Sequence, residues 1–410
     1  MPDSSIPFAR PFIGKEEEEA VLRVLRSGWL TTGSEALAFE REFADFLTSQ
    51  PPGHLASQPA AGNGGLFCLA VNSATSGLHL ALEACGVGQG DKVLVPSCTF
   101  TATAEVARYL GADPVFVDVC PGTFHIDPAA IEKTLQSLSP GKAKAIIPVH
   151  YGGLPCGMAA IMEIARRYDL KVIEDAAHSF PSLMGIREQA PRSPSFAGTI
   201  GDIGVFSFYA NKTITTGEGG MVVCRDKDMA ARIAIMRLHG IDRSVWSRYS
   251  DTKASWYYEV VEAGYKYNLP DLLAAVGRVQ LTRAWEFLRQ REAIADAYDT
   301  AFAGDERFLL PPTGPGDARH LYPLRLNNRN AAISRDALTE KLKHEGVGVS
   351  VHYIPLHTMP YYKKCYQLKD DNFPETMKSC TSAVSLPIWP GMSMEQVETV
   401  INKVKICARG

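Results

Sequence analysis

The chain has 410 residues, of which 46% are hydrophobic and 21% charged, with a formal net charge of −3. This is ordinary globular composition, and it excludes a largely disordered chain. The charge balance gives no basis for binding nucleic acid or an anionic membrane, and no run approaches the roughly 18 apolar residues of a membrane helix. The N-terminus turns acidic without an apolar stretch. We therefore expect a cytoplasmic protein without a secretory signal.

The nine cysteines and ten histidines show no ligand spacing. The cysteine count is odd, no CxxC pair occurs, and the histidines form no HExxH motif. Such a chain is expected to carry buried free thiols rather than a disulfide framework, and no metal site.

Helix and strand patterns alternate along the first two-thirds of the chain. A helix is predicted over 15–27, with acids in its first turn, Arg23 and Arg26 near its end and Gly28 as a stop. Another helix covers 35–48, and a Pro/Gly-rich loop covers 49–65. Short apolar strands are predicted at 67–72, 92–96, 114–119, 144–150, 171–177, 205–209 and 221–225, and helices at 75–85, 101–112 and 158–168. This alternation predicts an α/β fold with a mostly parallel sheet covered by helices.

The last third of the chain has a different pattern. It predicts a long helix over 271–303, strands over 320–326 and 347–353, and helices over 335–345 and 394–406. We expect two domains: a large α/β domain with an N-terminal arm over 1–275, and a smaller α+β domain over 276–410.

Three sequence features could carry chemistry. NSATSGLHLAL (72–82) ends a strand and starts a helix, where backbone N–H groups can bind phosphate, although an ordinary helix cap would look the same. Asp175 ends a predicted central strand, where open α/β sheets bind ligands, and a protonated pyridine nitrogen would neutralise it; a plain helix cap is the alternative.

Lys212 follows an apolar strand and precedes a Gly-rich turn. Its amine could form a Schiff base if desolvated, whereas a lone lysine in a turn is usually only solvated. The combination of phosphate cradle, carboxylate and lysine, in that order, favours pyridoxal 5′-phosphate (PLP) as cofactor.

The sequence resembles the DegT/StrS-type family of sugar aminotransferases, PLP enzymes of fold type I. Eight segments carry the resemblance in the family's order: SGWLTTG (27–33), NSATSGLHLAL (72–82), VPSCTFTATA (95–104), PVHYGG (148–153), VIEDAAHS (172–179), FSFYANKTITTGEGG (206–220), GYKYNLPD (264–271) and HYIPLH (352–357). Segments 49–65 and 183–200 look longer than is usual for that family, and NSAT replaces the commoner NSGT.

The resemblance implies a role for each matching residue. Lys212 is the Schiff-base lysine, Asp175 pairs with the pyridine nitrogen, His178 approaches the phenolic oxygen, and Phe100 stacks on the ring. Asn268 reaches the phosphate of the neighbouring subunit, which implies a homodimer with shared sites. The phosphate cup comprises Ala74, Thr75 and Ser207, and the sugar-nucleotide pocket includes Trp29, Thr31, His352 and His357.

The implied activity is transfer of an amino group from L-glutamate to a nucleoside-diphosphate-linked ketosugar. The segments look closest to members acting on 4-keto sugars, with a 3-keto sugar or a keto-inositol as alternatives. Other functions compatible with the fold are a PLP lyase or desulfurase acting on an amino acid, and a non-catalytic PLP-binding regulator of cell-envelope synthesis.

Overall fold

A seven-stranded sheet forms the centre of the large α/β part of the protein. The structure is a computed structural model that describes residues 5–49, 65–185, 195–242 and 257–409. The strands in chain order are β1 (Phe67–Val71), β2 (Lys92–Pro96), β3 (Asp113–Val117), β4 (Ala143–Ile146), β5 (Lys171–Asp175), the short pair β6 (Leu183–Met184) and β7 (Ser195–Phe196), β8 (Ile203–Ser207) and β9 (Gly220–Cys224). The sheet order is β1-β9-β8-β5-β4-β2-β3, and only β9 runs antiparallel to its neighbours. The predicted mostly parallel sheet is confirmed.

Helices cover both faces of this sheet. The helices of this part of the chain are α1 (Lys15–Ser27), α2 (Ser34–Thr48), α3 (Ala74–Ala84), α4 (Thr101–Tyr109), α5 (Pro128–Ser137), α6 (Met158–Arg167), α7 (Lys227–Met236), α8 (Asp271–Thr282) and α9 (Ala284–Phe302). Helix α1 has the predicted bounds, with Gly28 in the left-handed conformation at its end. Helices α5 and α7, whose N-caps are Asp127 and Asp226, are not among the helices predicted from the sequence.

The two faces of the sheet pack against different helices. On one face, α3, α4 and α7 bury Leu80 and Val106 against strand residues such as Val205. On the other, α2 and α8 bury Phe39 and Phe43 with Phe206 of β8. Because both faces are apolar, the polar side chains that matter for chemistry are left at the carboxyl ends of the strands.

The C-terminal part forms a second, smaller α+β layer with its own core. Strands β10 (Phe308–Leu309), β11 (Tyr322–Leu326) and β12 (Ala383–Leu386) pair antiparallel, and the helices are α10 (Arg335–His344), α11 (Pro360–Tyr366), α12 (Pro374–Cys380) and α13 (Met394–Cys407). Its apolar cluster also takes in Ile6 from the N-terminal arm. The expected domain boundary at 275/276 falls inside α8, and the division into two domains stays a prediction.

Two predicted elements differ from the structure. The long helix over 271–303 is broken at Arg283 into α8 and α9. The strand predicted over 347–353 does not form, since Val347 bridges Ile6 on one side and Ser350 bridges Ser385 on the other. With no single neighbour along its length, this segment cannot build a continuous ladder.

The cysteine prediction holds only in part. Seven cysteines are free, whereas Cys98 and Cys380 form a disulfide with their Cα atoms 7.0 Å apart. The sequence could not show this pair because 282 positions separate its members.

None of the helices in the described ranges is both long and apolar enough to cross a membrane. Of the two long loops expected from the sequence, residues 50–64 and 186–194 lie outside the described residues.

Candidate active site

A cavity of about 420 Å³ opens where β5 and β8 end and where α3 and α4 begin. This volume lies in the usual range for small-molecule sites. Eight of the twelve residues expected from the sequence line it: Ala74, Thr75, Phe100, Asp175, His178, Ser207, Lys212 and His352. Four do not: Trp29, Thr31, Asn268 and His357.

The first turn of α3 forms one wall of the cavity. Ser73 caps this helix by accepting from the Ser76 amide at 3.1 Å, so the amides of Ala74 and Thr75 remain at the open helix start. A Cβ at Gly220 of β9 would lie 2.8 Å from the Ala74 nitrogen, so glycine lets the strand approach this turn closely. Together with Ser207 at the end of β8, this wall can hold a phosphate group.

Asp175 is a buried carboxylate with few partners. It is 5% exposed, accepts a hydrogen bond from Thr103 Oγ1 at 2.8 Å, and accepts a longer one from the Ala177 amide at 3.2 Å. Burial raises the pKa of Asp175, although these bonds and the nearby Lys212 oppose that rise. A buried carboxylate in this position gains from a cationic ligand in the cavity.

Glu174, the residue before Asp175, holds the end of β5 in place through buried hydrogen bonds. Glu174 is fully buried and accepts from His150 Nε2 at 2.8 Å and from the amides of Gly198, Ile200 and Gly201 at 2.8, 2.6 and 2.6 Å. These bonds tie β5 to the turn before β8. They therefore fix the strand end from which Asp175 projects.

Lys212 lies in the same cavity as Asp175. Burial lowers the pKa of Lys212 to about 8; the Asp175 carboxylate opposes this effect, and the Arg291 guanidinium adds to it. Arg291 is 1% exposed and donates only to the backbone carbonyls of His320 and Ile388, both at 3.1 Å, in the hydrogen bonds of the described residues. A lysine with a lowered pKa keeps a larger share of the neutral amine needed for nucleophilic chemistry.

His178 lies beside this pair and is 6% exposed. Its Nδ1 accepts from the Gly152 amide at 3.3 Å, and its Nε2 lies 3.0 Å from the Tyr353 hydroxyl. Gly152 has a φ of 69°, which explains the glycine in PVHYGG. The other cavity histidine, His352, bonds Ser385 Oγ at 2.9 Å, and burial lowers its pKa to about 3.

Three expected site residues lie together away from the cavity of their own chain. Asn268 Nδ2 donates to Thr32 Oγ1 at 2.6 Å, and the Asp271 amide donates to the Thr31 carbonyl at 3.2 Å. Trp29 Nε1 donates to the Thr32 carbonyl at 3.3 Å. We call residues 29–32 the 29–32 cluster; Asn268 and Asp271 are hydrogen-bonded to it.

His357 has a different environment from the one expected for a sugar-binding residue. It is fully buried, its Nδ1 lies 2.5 Å from Ser97 Oγ, and its ring stacks on Phe373 at 4.2 Å. The structure does not bring it to the cavity.

Three polar residues in or beside the cavity that were not expected from the sequence bear on its chemistry. Thr103 was part of a quoted segment, and its position in the first turn of α4 could have marked it as facing the strand ends. Tyr353 follows His352 directly, but only the histidines of HYIPLH were chosen. Asn211 precedes Lys212, lines the cavity, and has a buried side-chain oxygen without a hydrogen-bond partner in the described residues.

These features fit PLP. The open helix start and Ser207 suit its phosphate, the under-partnered Asp175 suits a protonated ring nitrogen, and the Phe100 ring, which is 55% exposed, offers a stacking face. In the described part of the chain, no group of three His, Cys, Asp or Glu side chains could hold a metal ion.

The sheet order and the residues that line the cavity are those of a PLP-dependent transferase of fold type I. The chain belongs to the DegT/DnrJ/EryC1/StrS aminotransferase family, whose sequence profile matches residues 11–405. It is a sugar aminotransferase of that family, with PLP as cofactor. The resemblance found in the sequence is thereby confirmed, as are the fold class and the cofactor.

Relatives match along nearly their whole length. The spore coat polysaccharide biosynthesis protein SpsC of Bacillus subtilis is 40% identical over 409 residues, covering 99% of this chain and 97% of SpsC. Among solved structures, the Streptococcus pneumoniae protein Spr1654, assigned as a sugar aminotransferase and solved in its pyridoxamine phosphate form, is 30% identical with a TM-score of 0.85, covering 98% of this chain and 99% of that one. PseC of Helicobacter pylori, an aminotransferase of pseudoaminic acid biosynthesis, is 26% identical with a TM-score of 0.84, covering 99% and 100%.

Proposed function

We propose that this protein moves an amino group from L-glutamate to a nucleoside-diphosphate-linked 4-keto sugar. The observation that carries the proposal is the presence of Lys212 and Asp175 in one cavity, beside the open start of α3. The resemblance of SGWLTTG, GYKYNLPD and HYIPLH to members acting on 4-keto sugars supports the position that is aminated. The name of SpsC supports a product that enters a surface polysaccharide.

When bound, PLP supplies an electron sink that stabilises negative charge on the carbon losing a proton. We assign the supporting roles to residues of this chain. Asp175 keeps the proton on the ring nitrogen, because its buried carboxylate favours a cation beside it. Lys212 Nζ would take the proton from the Cα of the amino donor and deliver it to C4′ of the cofactor, as its lowered pKa allows near neutral pH.

We further propose a homodimer in which each cavity is completed by the neighbouring subunit. Asn268 does not line the cavity of its own chain, although the family resemblance assigns it to a phosphate. Asn268 is hydrogen-bonded to Thr32. If Asn268 reaches the cavity of the neighbouring subunit, the 29–32 cluster would therefore lie beside that cavity too. Trp29 and Thr31 would then contact the substrate held in the partner's cavity. The cytoplasmic location stays a prediction from the sequence.

A half-reaction screen tests this function. The pyridoxamine phosphate form of the protein is mixed with 4-keto and 3-keto nucleotide sugars and a keto-inositol, and the return of the PLP absorption is followed. We expect rapid conversion only with a 4-keto sugar, no conversion by the Lys212→Ala variant, and L-glutamate as the best donor in the reverse loading step. Conversion by a 3-keto sugar or the keto-inositol alone would contradict the proposed position.

A further inference from the structure

Both ring nitrogens of His178 are engaged within the protein. The Gly152 amide donates to Nδ1 at 3.3 Å, so Nδ1 carries a lone pair and not a hydrogen. Burial lowers the pKa of His178 well below its usual value, and the nearby Lys212 and His352 act in the same direction. The ring is therefore neutral, its hydrogen is on Nε2, and that hydrogen points at the Tyr353 oxygen 3.0 Å away.

In this arrangement the hydroxyl hydrogen of Tyr353 has no hydrogen-bond acceptor among the described residues. The Tyr353 oxygen accepts from His178, and the hydrogen bonds of the described residues include no second partner for it. Burial raises the pKa of Tyr353, and the negative charge of Asp175 raises it further, so the phenol stays protonated. Tyr353 lines the cavity together with Asp175 and Lys212, and its hydrogen is free to be donated there.

We propose that Tyr353 donates a hydrogen bond to an electron-rich oxygen of the molecule bound in the cavity, and that His178 is the positioning residue that orients this hydroxyl. The oxygen belongs either to the phenolic group of PLP or to the carboxylate or keto group of a substrate. The sequence resemblance gave His178 the direct approach to the phenolic oxygen. If PLP is the acceptor, Tyr353 and not His178 makes this approach, because the one hydrogen on the His178 ring is donated to Tyr353.

The residues around His178 and Tyr353 keep each of these two side chains in its neutral form. The titratable and charged groups around it are Asp175, Lys212, His320, His352, Arg291 and Tyr151. The His320 ring packs 4.6 Å from that of His178, and burial also lowers the pKa of His320 well below its usual value. All three histidines therefore stay neutral across neutral pH. A change in the cofactor's own titration on removal of the Tyr353 hydroxyl then reports the lost hydrogen bond.

The test is a pH titration of the visible absorption of the PLP-loaded protein, for the unmodified chain and for Tyr353→Phe. A donor withdraws charge from an oxygen and lowers its proton affinity. If PLP is the acceptor, Tyr353→Phe should move the titration midpoint upward by about one to two pH units, the effect of one charge-assisted hydrogen bond. The dissociation constant for PLP should rise about tenfold or more.

Three further variants separate the loss of the Tyr353 hydrogen bond from a general effect on packing. Tyr298→Phe also removes a buried hydroxyl, one that donates to the Pro387 carbonyl at 2.8 Å in the C-terminal core, and it should leave the midpoint in place. His178→Gln keeps an N–H that can reach Tyr353 and should retain most of the normal midpoint. His178→Leu should reproduce much of the Tyr353→Phe shift.

A second measurement identifies the acceptor. If Tyr353→Phe leaves the midpoint unchanged but weakens binding of L-glutamate or of the nucleotide sugar about tenfold, the oxygen is on the substrate. If neither changes, the proposal is wrong. The glutamate and sugar arms of this experiment rest on the proposed function, but the titration does not. A failure of the sugar assignment would show as an inert pyridoxamine phosphate form in the unmodified protein, with the titration still readable.

Discussion

Thr103 donates its hydroxyl hydrogen to Oδ2 of Asp175 across 2.8 Å, from the first turn of α4 to the end of β5. Because this single hydrogen is committed to the carboxylate, the Thr99 hydroxyl 2.7 Å away must donate to Thr103 rather than accept from it. The bonds run in one direction, from Thr99 through Thr103 to Asp175. They favour the charged form of Asp175, which lines the cofactor site.

Replacement of Thr103 should therefore weaken the role of Asp175 without removing it. Thr103→Val keeps the shape and deletes the donor, and a hydrogen bond to a charged group contributes roughly 1.5–3 kcal/mol. We expect the amino-donor half-reaction to slow about 10- to 100-fold in stopped-flow absorption measurements. Thr103→Ser should restore most of the rate.

A neighbouring threonine provides the control for Thr103. Thr101 lies in the same helix turn, but its hydroxyl bonds Glu105 at 3.2 Å and not the acid of the site. Thr101→Val should retain the half-reaction rate. Equal losses in the two valine variants would mean that the effect comes from helix packing, and not from the bond to Asp175.

Glu174→Gln should destabilise the fold rather than only the activity. Glu174 accepts hydrogen bonds from His150 and from three amides, and a glutamine would turn one acceptor into a donor facing other donors. A buried polar group left without its hydrogen bond costs roughly 1–3 kcal/mol, and a charged group costs more. The free energy of unfolding in urea should fall by about that amount, whereas the exposed Glu163→Gln should change it by less than about 0.5 kcal/mol.

The same carboxylate predicts an acid limit to stability. Burial by itself would raise the pKa of Glu174, but the bonds from His150 and the amides outweigh burial and hold the pKa below 4.5. An acid with a depressed folded pKa stabilises the protein above its unfolded pKa and loses that contribution as the pH falls through the folded value. The unmodified protein should therefore lose stability below about pH 4.5 more steeply than Glu174→Gln.

Lys212 should control how fast the protein takes up its cofactor. Only the neutral amine attacks an aldehyde, and the pKa of Lys212 is lowered to about 8. The rate at which the PLP-free protein binds PLP covalently should rise with pH and level off above about pH 8. Asp175→Asn removes the negative charge that favours the ammonium form of Lys212. The midpoint of the pH dependence of PLP binding should therefore move to lower pH in this variant. A midpoint near that of an ordinary lysine would show that Lys212 is not desolvated.

The lowered pKa of Lys212 also makes the stability of the PLP-free protein depend on pH. Between about pH 8 and 10.5 the unfolded chain keeps the Lys212 proton and the folded, PLP-free protein does not. Stability rises with pH wherever the unfolded state binds more protons. This contribution to the stability of the PLP-free protein should therefore increase across that range, and Lys212→Met should abolish it.

The sequence was most informative where short stretches of chain decide the structure. Helix α1 could be placed to the residue because its acidic first turn and Gly28 are local signals. Ala74, Asp175 and Lys212 could be placed at one edge of the sheet because each lies at or after the end of a strand, and the ends of parallel strands meet at one edge.

What the sequence could not provide depends on distant contacts. Thr103 meets Asp175 across 72 positions, and Tyr353 meets His178 across 175. No local pattern encodes such pairs. His357 shows the reverse case: the family resemblance assigns its segment to the substrate pocket, yet its ring packs on Phe373 and is hydrogen-bonded to Ser97, away from the cavity. A motif identifies the segment, but tertiary packing decides which of its side chains faces the ligand.

Subunit complementation tests whether the cavity is shared between two chains. Asn268 has its amide hydrogen bonded to Thr32 and its oxygen facing Lys266 in its own chain, outside the cavity. Asn268→Asp adds a negative charge that should repel a phosphate. Lys212→Ala subunits and Asn268→Asp subunits should each be inactive alone. In a mixed dimer both defects would fall in one site and leave the other intact, if Asn268 acts on its neighbour.

Random exchange makes half of the dimers mixed, each with one working site, so activity should return to roughly a quarter of the wild-type value. If Asn268 served its own chain, every site of the mixed dimer would carry one defect and activity would stay absent. Native mass spectrometry would establish that the subunits had exchanged, which makes a negative result decisive. The same mixing with Trp29→Ala in place of Asn268→Asp would test whether the 29–32 cluster crosses the interface with Asn268, because Thr32 bonds Asn268 directly.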